Sequence, residues 1–449
     1  MRLFNLIKIY YFIIKWYVIT KYFRNFRTTE ILMKWQKSKI QQIVNYAFSH
    51  SKFYQKQYAN YSLVAHQKLP LIEKNNFMAN FDDINTVGIT LNTAYQIAAQ
   101  AEQSRDFSQK EKDITVGLSS GTSGNRGVFL VSAEERYAWV GAVLAKMLPG
   151  SIFQKNSIAF FLRANSKLYT SLRSSRIKFN FFDLLDDLDA HIKNLNNLCP
   201  TILVAPASML KILAQKLING KLNINPVRVI SVAEILEPFD KSFIESAFKQ
   251  KIHQIYQATE GFIAATCKEG VLHLNEDLLY IEKEYIDQKK NKFIPIITDL
   301  FRKSQPVIRY RLNDIITLKN EPCKCGSVFT AIEQIDGRSD DLLYFREHIS
   351  KNLKPFFPDF IRRAIITSSE YIEEYAVEQS SPETLYVMLK LKAEKNDVLP
   401  YEINIKNKIE SLLKNLNFEI PKILFKTYSP PEKGTKLRRI KRLYKVGTV

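Results

Sequence analysis

The run Ser119-Ser120-Gly121-Thr122-Ser123-Gly124 has the composition of an anion-binding loop. Its two glycines permit close backbone approach and left-handed turns, exposed amides can form a nest for negative charge, and four hydroxyls add donors. The flanking stretches, Ile114 to Leu118 and Val128 to Val131, are apolar and β-like, so the run is expected to join two strands. That separates it from a Walker loop, which needs Gly-Lys-Ser/Thr leading into a helix; here Gly124 is followed by Asn125 and Arg126. The Arg126 fork can bind phosphate where a lysine is missing. The loop suits a triphosphate, although taken alone the same run also fits an ordinary surface loop.

Three further segments follow in order: Tyr256-Gln257-Ala258-Thr259-Glu260, Gly337-Arg338-Ser339-Asp340-Asp341 and Gly434-Thr435-Lys436-Leu437-Arg438-Arg439. With the loop, this succession resembles the adenylate-forming superfamily of acyl-CoA synthetases. It is most similar to the phenylacetate-CoA ligase-like branch, which includes capsule-biosynthesis and deazaflavin-coenzyme adenylating relatives. The resemblance runs from about Ile114 to the C-terminus. It implies ATP- and Mg²⁺-dependent activation of a carboxylic acid, aryl by the habit of the branch, to an acyl-AMP with release of pyrophosphate. Transfer of the acyl group to CoA would follow.

The resemblance also implies roles for individual residues. Ser119 to Gly124 and Arg126 would hold the phosphates, Tyr256 would lie along the adenine, and Thr259 would contact the α-phosphate. Glu260 would hold Mg²⁺, which prefers a hard oxygen ligand. The stretch Pro306 to Asp314 resembles a ribose-binding segment, with the Asp314 carboxylate accepting from both ribose hydroxyls. Arg338 would add a phosphate or ribose contact, and Asp340 would be the hinge of a small mobile domain. Lys436, a point charge on a flexible stem, would bridge the acyl carboxylate and the α-phosphate. Lys433, Arg438, Arg439, Lys441, Arg442 and Lys445 crowd Lys436, so this end also fits a basic tail gripping acidic lipid or RNA.

Some members of the branch carry a cysteine, then Gly-Leu-His, then Cys-x-Cys. Here Cys267, Val271-Leu272-His273 and Cys323-Lys324-Cys325 resemble that arrangement. Three thiolates and an imidazole would close a tetrahedral structural Zn²⁺ site with no position open for water; reduced cysteines beside a surface histidine are the alternative. Two departures bear on function. Gln257 stands where the family has glycine. No glycine follows Asp341 before Phe357, and Glu347 lies where a pantetheine channel would pass, so CoA is less secured than adenylation. A rival enzyme would move AMP to a hydroxyl, or hand the acyl group to an amine or a carrier protein. A second rival is a non-catalytic, membrane-associated scaffold.

These residues need a large frame. At 449 residues and 46% hydrophobic, the chain can bury sizeable cores. Short apolar runs at Ile158 to Leu162, Ile202 to Ala205, Val227 to Val232, Ile294 to Ile297 and Val307 to Tyr310 alternate with helical stretches such as Ser208 to Ile218 and Phe239 to Lys249. That pattern indicates an α/β fold. Ser132 to Glu135 reads as a capping box opening a helix to about Leu148. The expected division is a basic, aromatic N-terminal helical segment (1–60), a large ATP- and acyl-binding domain (61–339) and a small α+β lid (340–449). Tyr386 to Leu391 reads as a strand of that lid and Tyr401 to Leu416 as a helix.

A formal charge of +20 favours anionic partners, although no nucleic-acid-binding motif accompanies it. Four cysteines in so long a chain make no disulfide framework, so a reducing cytoplasm is expected. The first sixty residues hold eleven Lys/Arg against one Glu. Lys8, Lys15 and Lys21 interrupt the apolar stretch Leu3 to Phe23, which argues against a membrane span. Three readings remain: a helix packed on the main domain with lysines reaching outward, a helix lying on an anionic membrane, peripheral at its inner surface, and, against those lysines, a span.

Overall fold

The computed structural model describes residues 2–444 apart from 105–112, 119–126, 163–173, 185, 290, 339–341, 357, 370, 393–397 and 431–437. The chain is an α/β protein of two compact units, Met1–Leu312 with Thr317–Gln334 and Asn313–Ile316 with Ile335–Val449.

The first unit opens its strand order with an antiparallel pair, β1 (Thr115–Leu118) and β2 (Val128–Val131), in which Leu118 faces Val128. The hydroxyl- and glycine-rich run therefore connects two paired strands. A parallel sheet follows, built from β3 (Asn156–Leu162), β4 (Ile177–Asp183), β5 (Ile202–Pro206), β6 (Arg228–Val232) and β7 (Ile252–Ala258) in the order β7-β6-β5-β3-β4. Side chains on a strand point alternately to opposite faces, and both faces of this sheet are buried. Ile158, Phe160, Ile202 and Val204 pack on one side with the Ala133–Met147 helix. Ala159, Phe161, Leu203 and Ala205 pack on the other with residues of the Leu188–Leu198, Ala207–Ile218 and Pro238–Phe248 helices. Double coverage is what makes parallel strands read as nearly continuous apolar runs. The capping box is present: Ser132 Oγ accepts from Glu135 N at 3.3 Å and Glu135 Oε2 from Ser132 N at 2.8 Å.

The sheet continues antiparallel from β7 into β8 (Gly261–Thr266) and β9 (Leu272–Leu274). A long hairpin, β10 (Leu279–Asp287) with β11 (Lys292–Asp299), follows. The strand expected at Val307 to Tyr310 shrinks to β12 (Tyr310–Arg311), paired with β11. Val307 and Ile308 are buried, but Arg309 adopts φ 47°, a left-handed conformation that interrupts extended pairing. Its guanidinium makes two 2.9 Å bonds to Glu282, and Arg311 pairs with Glu284 at 2.7 and 3.0 Å.

The basic N-terminus forms an α-helix, Arg2–Val18, and a π-helical turn, Ile19–Phe23. Ile13 and Tyr17 enter the core beside Val140 and Leu144, each such burial contributing roughly 1.5–3 kcal/mol. Gly141 makes the crossing possible, because a Cβ there would lie 2.6 Å from the Ile13 carbonyl oxygen. Arg24 closes the strap. Its buried guanidinium lies 4.4 Å from the Phe301 ring centre and 4.6 Å from that of Trp16, and Nη1 donates to the Asp277 carbonyl at 3.1 Å. Helices Thr29–His50 and Lys52–Tyr58 follow, parted at extended Ser51, whose Oγ accepts from Tyr54 N. Among the described residues, no helix is long and apolar enough to cross a membrane.

Strands β13 (Asp314–Leu318) and β14 (Ala331–Arg338) carry the chain across the division into the second unit. There a hairpin, β15 (Leu343–Arg346) with β16 (Leu353–Phe356), precedes a four-stranded sheet. Its strands are β17 (Ile372–Ser381), β18 (Thr384–Leu391), β19 (Lys422–Thr427) and β20 (Ile440–Arg442), in the order β19-β18-β17-β20. Ile405, Ile409 and Leu413, one stripe of the Leu399–Asn415 helix, share a core with Val377, Leu385 and Val387 of that sheet.

Candidate active site and metal centre

At β7 the sheet changes character, being parallel to β6 on one side and antiparallel to β8 on the other. Ligands of open α/β sheets collect at the carboxyl ends of strands where the topology switches. Tyr256 to Glu260 lies at that end of β7. Ala258 pairs with Gly261, which leaves Thr259 and Glu260 as a half-buried two-residue turn. A bulge between Tyr256 and Gln257 re-aims the strand just before it. Gln257, standing where the resembled family has glycine, has a partner of its own: its Oε1 accepts from Trp139 Nε1 at 3.0 Å. At the neighbouring strand ends, Ala233 follows β6 with φ 65°, and the Glu234 carboxylate accepts from Ser208 N at 2.8 Å and Ser208 Oγ at 3.0 Å. Glu234 thus satisfies a free amide in the first turn of the Ala207–Ile218 helix.

A segment that no motif marks, Asp299 to Gln305, ties the site's supports together. The buried Arg302 donates through Nη1 to the Thr259 carbonyl at 2.6 Å, and through Nη2 to the Leu130 carbonyl at 3.2 Å and Gln305 Oε1 at 2.7 Å. Gln305 Oε1 also accepts from Leu130 N at 3.0 Å. Glu135 Oε1 accepts from Lys303 N and Ser304 N at 2.6 and 2.7 Å. Asp299 Oδ1 takes the amides of Phe301 and Arg302 at 2.9 and 3.0 Å. Burial pushes the Asp299 carboxyl up to about 6 despite those donors and the nearby guanidinium. A polar Arg between the apolar Leu300-Phe301 and Val307-Ile308 is the signal by which a sequence reading could find this segment.

Other expected site residues are distributed differently. Asp314 opens β13 in the second unit. Ser119, Ser120, Gly121, Thr122, Ser123, Gly124, Arg126, Asp340 and Lys436 lie outside the described residues, as does the side chain of Arg338.

Cys267, His273, Cys323 and Cys325 converge within the first unit, their ligand atoms all within 4.8 Å of one another. Cys267 directly follows β8, His273 lies on β9, and Cys323 and Cys325 belong to the connection between β13 and β14. Gly270 and Gly326, at φ 75° and 77°, allow the tight turns beside the thiols. Cys267 Sγ is 3.7 Å from Cys323 Sγ, and Cys325 Sγ is 3.5 Å from His273 Nε2. Zinc–ligand bonds of about 2.3 Å to sulfur and 2.0–2.1 Å to nitrogen give tetrahedral edges of about 3.8 Å (S···S) and about 3.6 Å (S···N). The donor set therefore fits zinc in chemistry and in spacing. His273 Nδ1 lies 2.9 Å from the Phe329 carbonyl, an outer contact that leaves Nε2 to face the thiols. Burial lowers the basicity of His273 and raises the Cys325 thiol to about 11, with the neighbouring thiols contributing.

No family model matches the chain. It is 26% identical over 236 residues to Protein CapK of Staphylococcus aureus, and 26% identical over 239 residues to indoleacetate–lysine synthetase of Pseudomonas savastanoi. Each alignment takes in 49% of this chain, and 50% and 57% of the respective relative, so the chain spans about half the length of the curated relatives it matches. Among solved structures, 2-hydroxyisobutyryl-CoA ligase with its acyl-AMP superposes with a TM-score of 0.69 at 17% identity, covering 93% of this chain and 90% of the other. The GH3.15 acyl acid amido synthetase gives a TM-score of 0.61 at 10% identity, covering 93% and 92%. The four ordered motifs and the sheet that switches at β7 agree with these likenesses: the chain has the fold of the adenylate-forming acid ligases.

Proposed function

We propose that the chain activates a carboxylic acid with ATP, forming an acyl-adenylate. The observation that carries this reading is the Thr259–Glu260 turn, held at the switch point of the sheet and tied through Arg302 to the strand that leaves the Ser/Thr/Gly run. In the activation step a carboxylate oxygen attacks the α-phosphorus and the bond to the β-phosphate breaks. Pyrophosphate departs, and the acyl group becomes bonded to AMP. The chain's task is to hold two anions together and aim one at the other, which is positional and electrostatic work. Tyr256 would flank the adenine, Asp314 and Arg338 the ribose and phosphates, and Thr259 the α-phosphate. The Ser119 to Gly124 run with Arg126 would cradle the leaving phosphates. Lys436 would bring a positive charge between the carboxylate and the α-phosphate, on a loop that the Asp340 hinge could withdraw. Magnesium held by Glu260 would neutralise phosphate charge as pyrophosphate leaves.

In the second step a nucleophile attacks the acyl carbonyl and AMP leaves. CoA, forming a thioester with an aryl acid, is our first reading of acceptor and substrate. An amine acceptor is the second, favoured by two observations. Two of the similar proteins are named for amide formation or for joining an acid to lysine. In addition, the chain after Leu342 carries Arg346 and Glu347 at a hairpin instead of a glycine-rich path. The experiment is acid-dependent exchange of radioactive pyrophosphate into ATP across aryl, fatty and amino acids, followed by product trapping with CoA or amines. We expect exchange with at least one acid; none with any acid, in protein that also fails to bind MgATP, would refute activation.

We also infer a structural zinc at Cys267, His273, Cys323 and Cys325, and a reducing cytoplasm, supported by four free cysteines. Peripheral contact with an anionic bilayer is supported by the outer face of the N-terminal helix, where Tyr10, Tyr11 and Ile14 are exposed beside Lys15, with Tyr22 and Phe23 beyond them. Aromatic side chains flanked by lysine suit the interface of such a surface. Deleting the segment would remove core residues Ile13 and Tyr17, so surface substitutions make the cleaner test. Tyr11→Ser with Tyr22→Ser and Phe23→Ser should reduce co-sedimentation with phosphatidylserine vesicles by about tenfold, in line with the apolar area removed. Unchanged sedimentation would count against contact through this face.

A further inference from the structure

We propose that Arg302 is a positioning residue for acid activation: its guanidinium sets the Thr259–Glu260 turn at a fixed distance from β2, and so fixes Glu260 relative to the strand that leaves the Ser119 to Gly124 run. The proposal rests on the activation reading above and adds a residue that no motif supplies.

Three observations carry it. First, the guanidinium links parts distant in sequence, with Nη1 on the Thr259 carbonyl and Nη2 on the Leu130 carbonyl. Thr259 immediately precedes Glu260, and Leu130 is on the strand that leaves the Ser119 to Gly124 run. Second, among the described residues β2 pairs only with β1, in a two-stranded sheet. Both polar backbone groups of Leu130 instead meet side chains of this segment: its amide donates to Gln305 Oε1, and its carbonyl accepts from Arg302 and Ser304. The edge that would otherwise seek a third strand is thereby held by a buried fork. Third, the fork is itself held. Asp299 takes the backbone amide of Arg302, Glu135 takes those of Lys303 and Ser304, and Gln305, fully buried, accepts from Nη2.

The chemistry requires arginine. A planar guanidinium can donate in two directions at once, whereas an ammonium concentrates its charge at one point. A lysine at 302 could serve Thr259 or Leu130 but not both with good geometry. Metal and phosphate contacts demand placement within about 0.5 Å of the productive arrangement, and a misplacement of about 1 Å can cost about 10²-fold in rate. Arg302 touches neither substrate nor metal in this account and acts only through the turn and the strand.

The test compares Arg302→Lys with Arg24→Lys, a second buried arginine of the same unit, which packs on the Phe301 ring and bonds the Asp277 carbonyl rather than Thr259 or Leu130. In pyrophosphate exchange, Arg302→Lys should lower kcat by about 10²-fold while KM for the acid stays within about twofold. Arg24→Lys should lower the melting temperature and leave kcat unchanged at temperatures where the protein is folded. A purely structural Arg302 would reproduce the Arg24→Lys pattern, and that result would overturn the proposal. If Arg302→Lys fails to fold, Gln305→Met, which removes only the acceptor steadying the fork and the Leu130 amide, should still cost about tenfold in kcat; an unchanged kcat there overturns it equally. Exchange in the wild type together with full activity in the variants sinks this inference alone. Absence of exchange and of MgATP binding in the wild type sinks the activation reading and this inference with it.

Discussion

Glu260→Gln is expected to lower the kcat of acid-dependent pyrophosphate exchange by about 10³-fold, the scale on which removing one aligned electrostatic group slows an enzyme. The substitution keeps side-chain shape and removes one charge, so the loss reports on the carboxylate and not on the turn. The turn itself has independent support, because Ala258 and Gly261 remain paired and the Thr259 carbonyl remains bonded to Arg302. The melting temperature should therefore move by no more than a few degrees. If Glu260 is the magnesium ligand, the variant should also need more magnesium to reach half its residual rate, since an amide oxygen holds a hard dication less well than a carboxylate. Exchange within tenfold of wild type, at unchanged magnesium dependence, would assign the metal to another group.

The second large effect is expected at the thiol cluster. Protein purified without chelator should carry about one zinc ion per chain, from the four-ligand count. Cys325→Ser or Cys267→Ser should lose it and lower the melting temperature by roughly 10 °C, as expected for a loss of about 3–5 kcal/mol at about 2–4 °C per kcal/mol in a unit of this size. Separations of 3.7 Å between two sulfurs and 3.5 Å between sulfur and imidazole nitrogen match tetrahedral edges, and they tie the connection between β13 and β14 to the ends of β8 and β9. The metal would clamp the far end of β8, whose first residue adjoins Glu260. Loss of zinc should accordingly depress exchange as well as stability. Metal-free protein of equal stability would show that the cluster is a set of reduced thiols packed against a histidine. Because the bound thiols must be deprotonated, occupancy should fall on acidification.

The two predictions draw on different kinds of information. The Ser132–Glu135 capping box, the strands on either side of the Ser119 run and the helices at Ser208 and Phe239 were legible because their determinants lie within a few residues of one another: a cap three positions from its partner, or apolar residues alternating along one strand. Each appears close to where the residues indicate. Val307 to Tyr310 reads just as strongly as a strand. It fails because Arg309 takes a left-handed conformation, and its guanidinium is engaged with Glu282 on β10, a partner with no local trace. The N-terminal segment likewise left three readings open. The Gly141 crossing and the burial of Arg24 among Trp16, Trp35 and Phe301 show that one face packs on the first unit.

What the sequence by itself determined was the inventory: an α/β chain, the ordered motifs with Glu260 among them, and a Cys/His set of zinc-like composition. Only the tertiary structure decided which distant parts meet. It brought Cys267 within 3.7 Å of Cys323, put Thr259 and Glu260 at the point where a parallel sheet turns antiparallel, and drew Arg302 between Leu130 and Thr259. The physical reason is range. Capping, turn formation and strand alternation act between neighbours in the chain, whereas a buried guanidinium or a ligand cluster is satisfied by groups that become neighbours only after the sheet has formed.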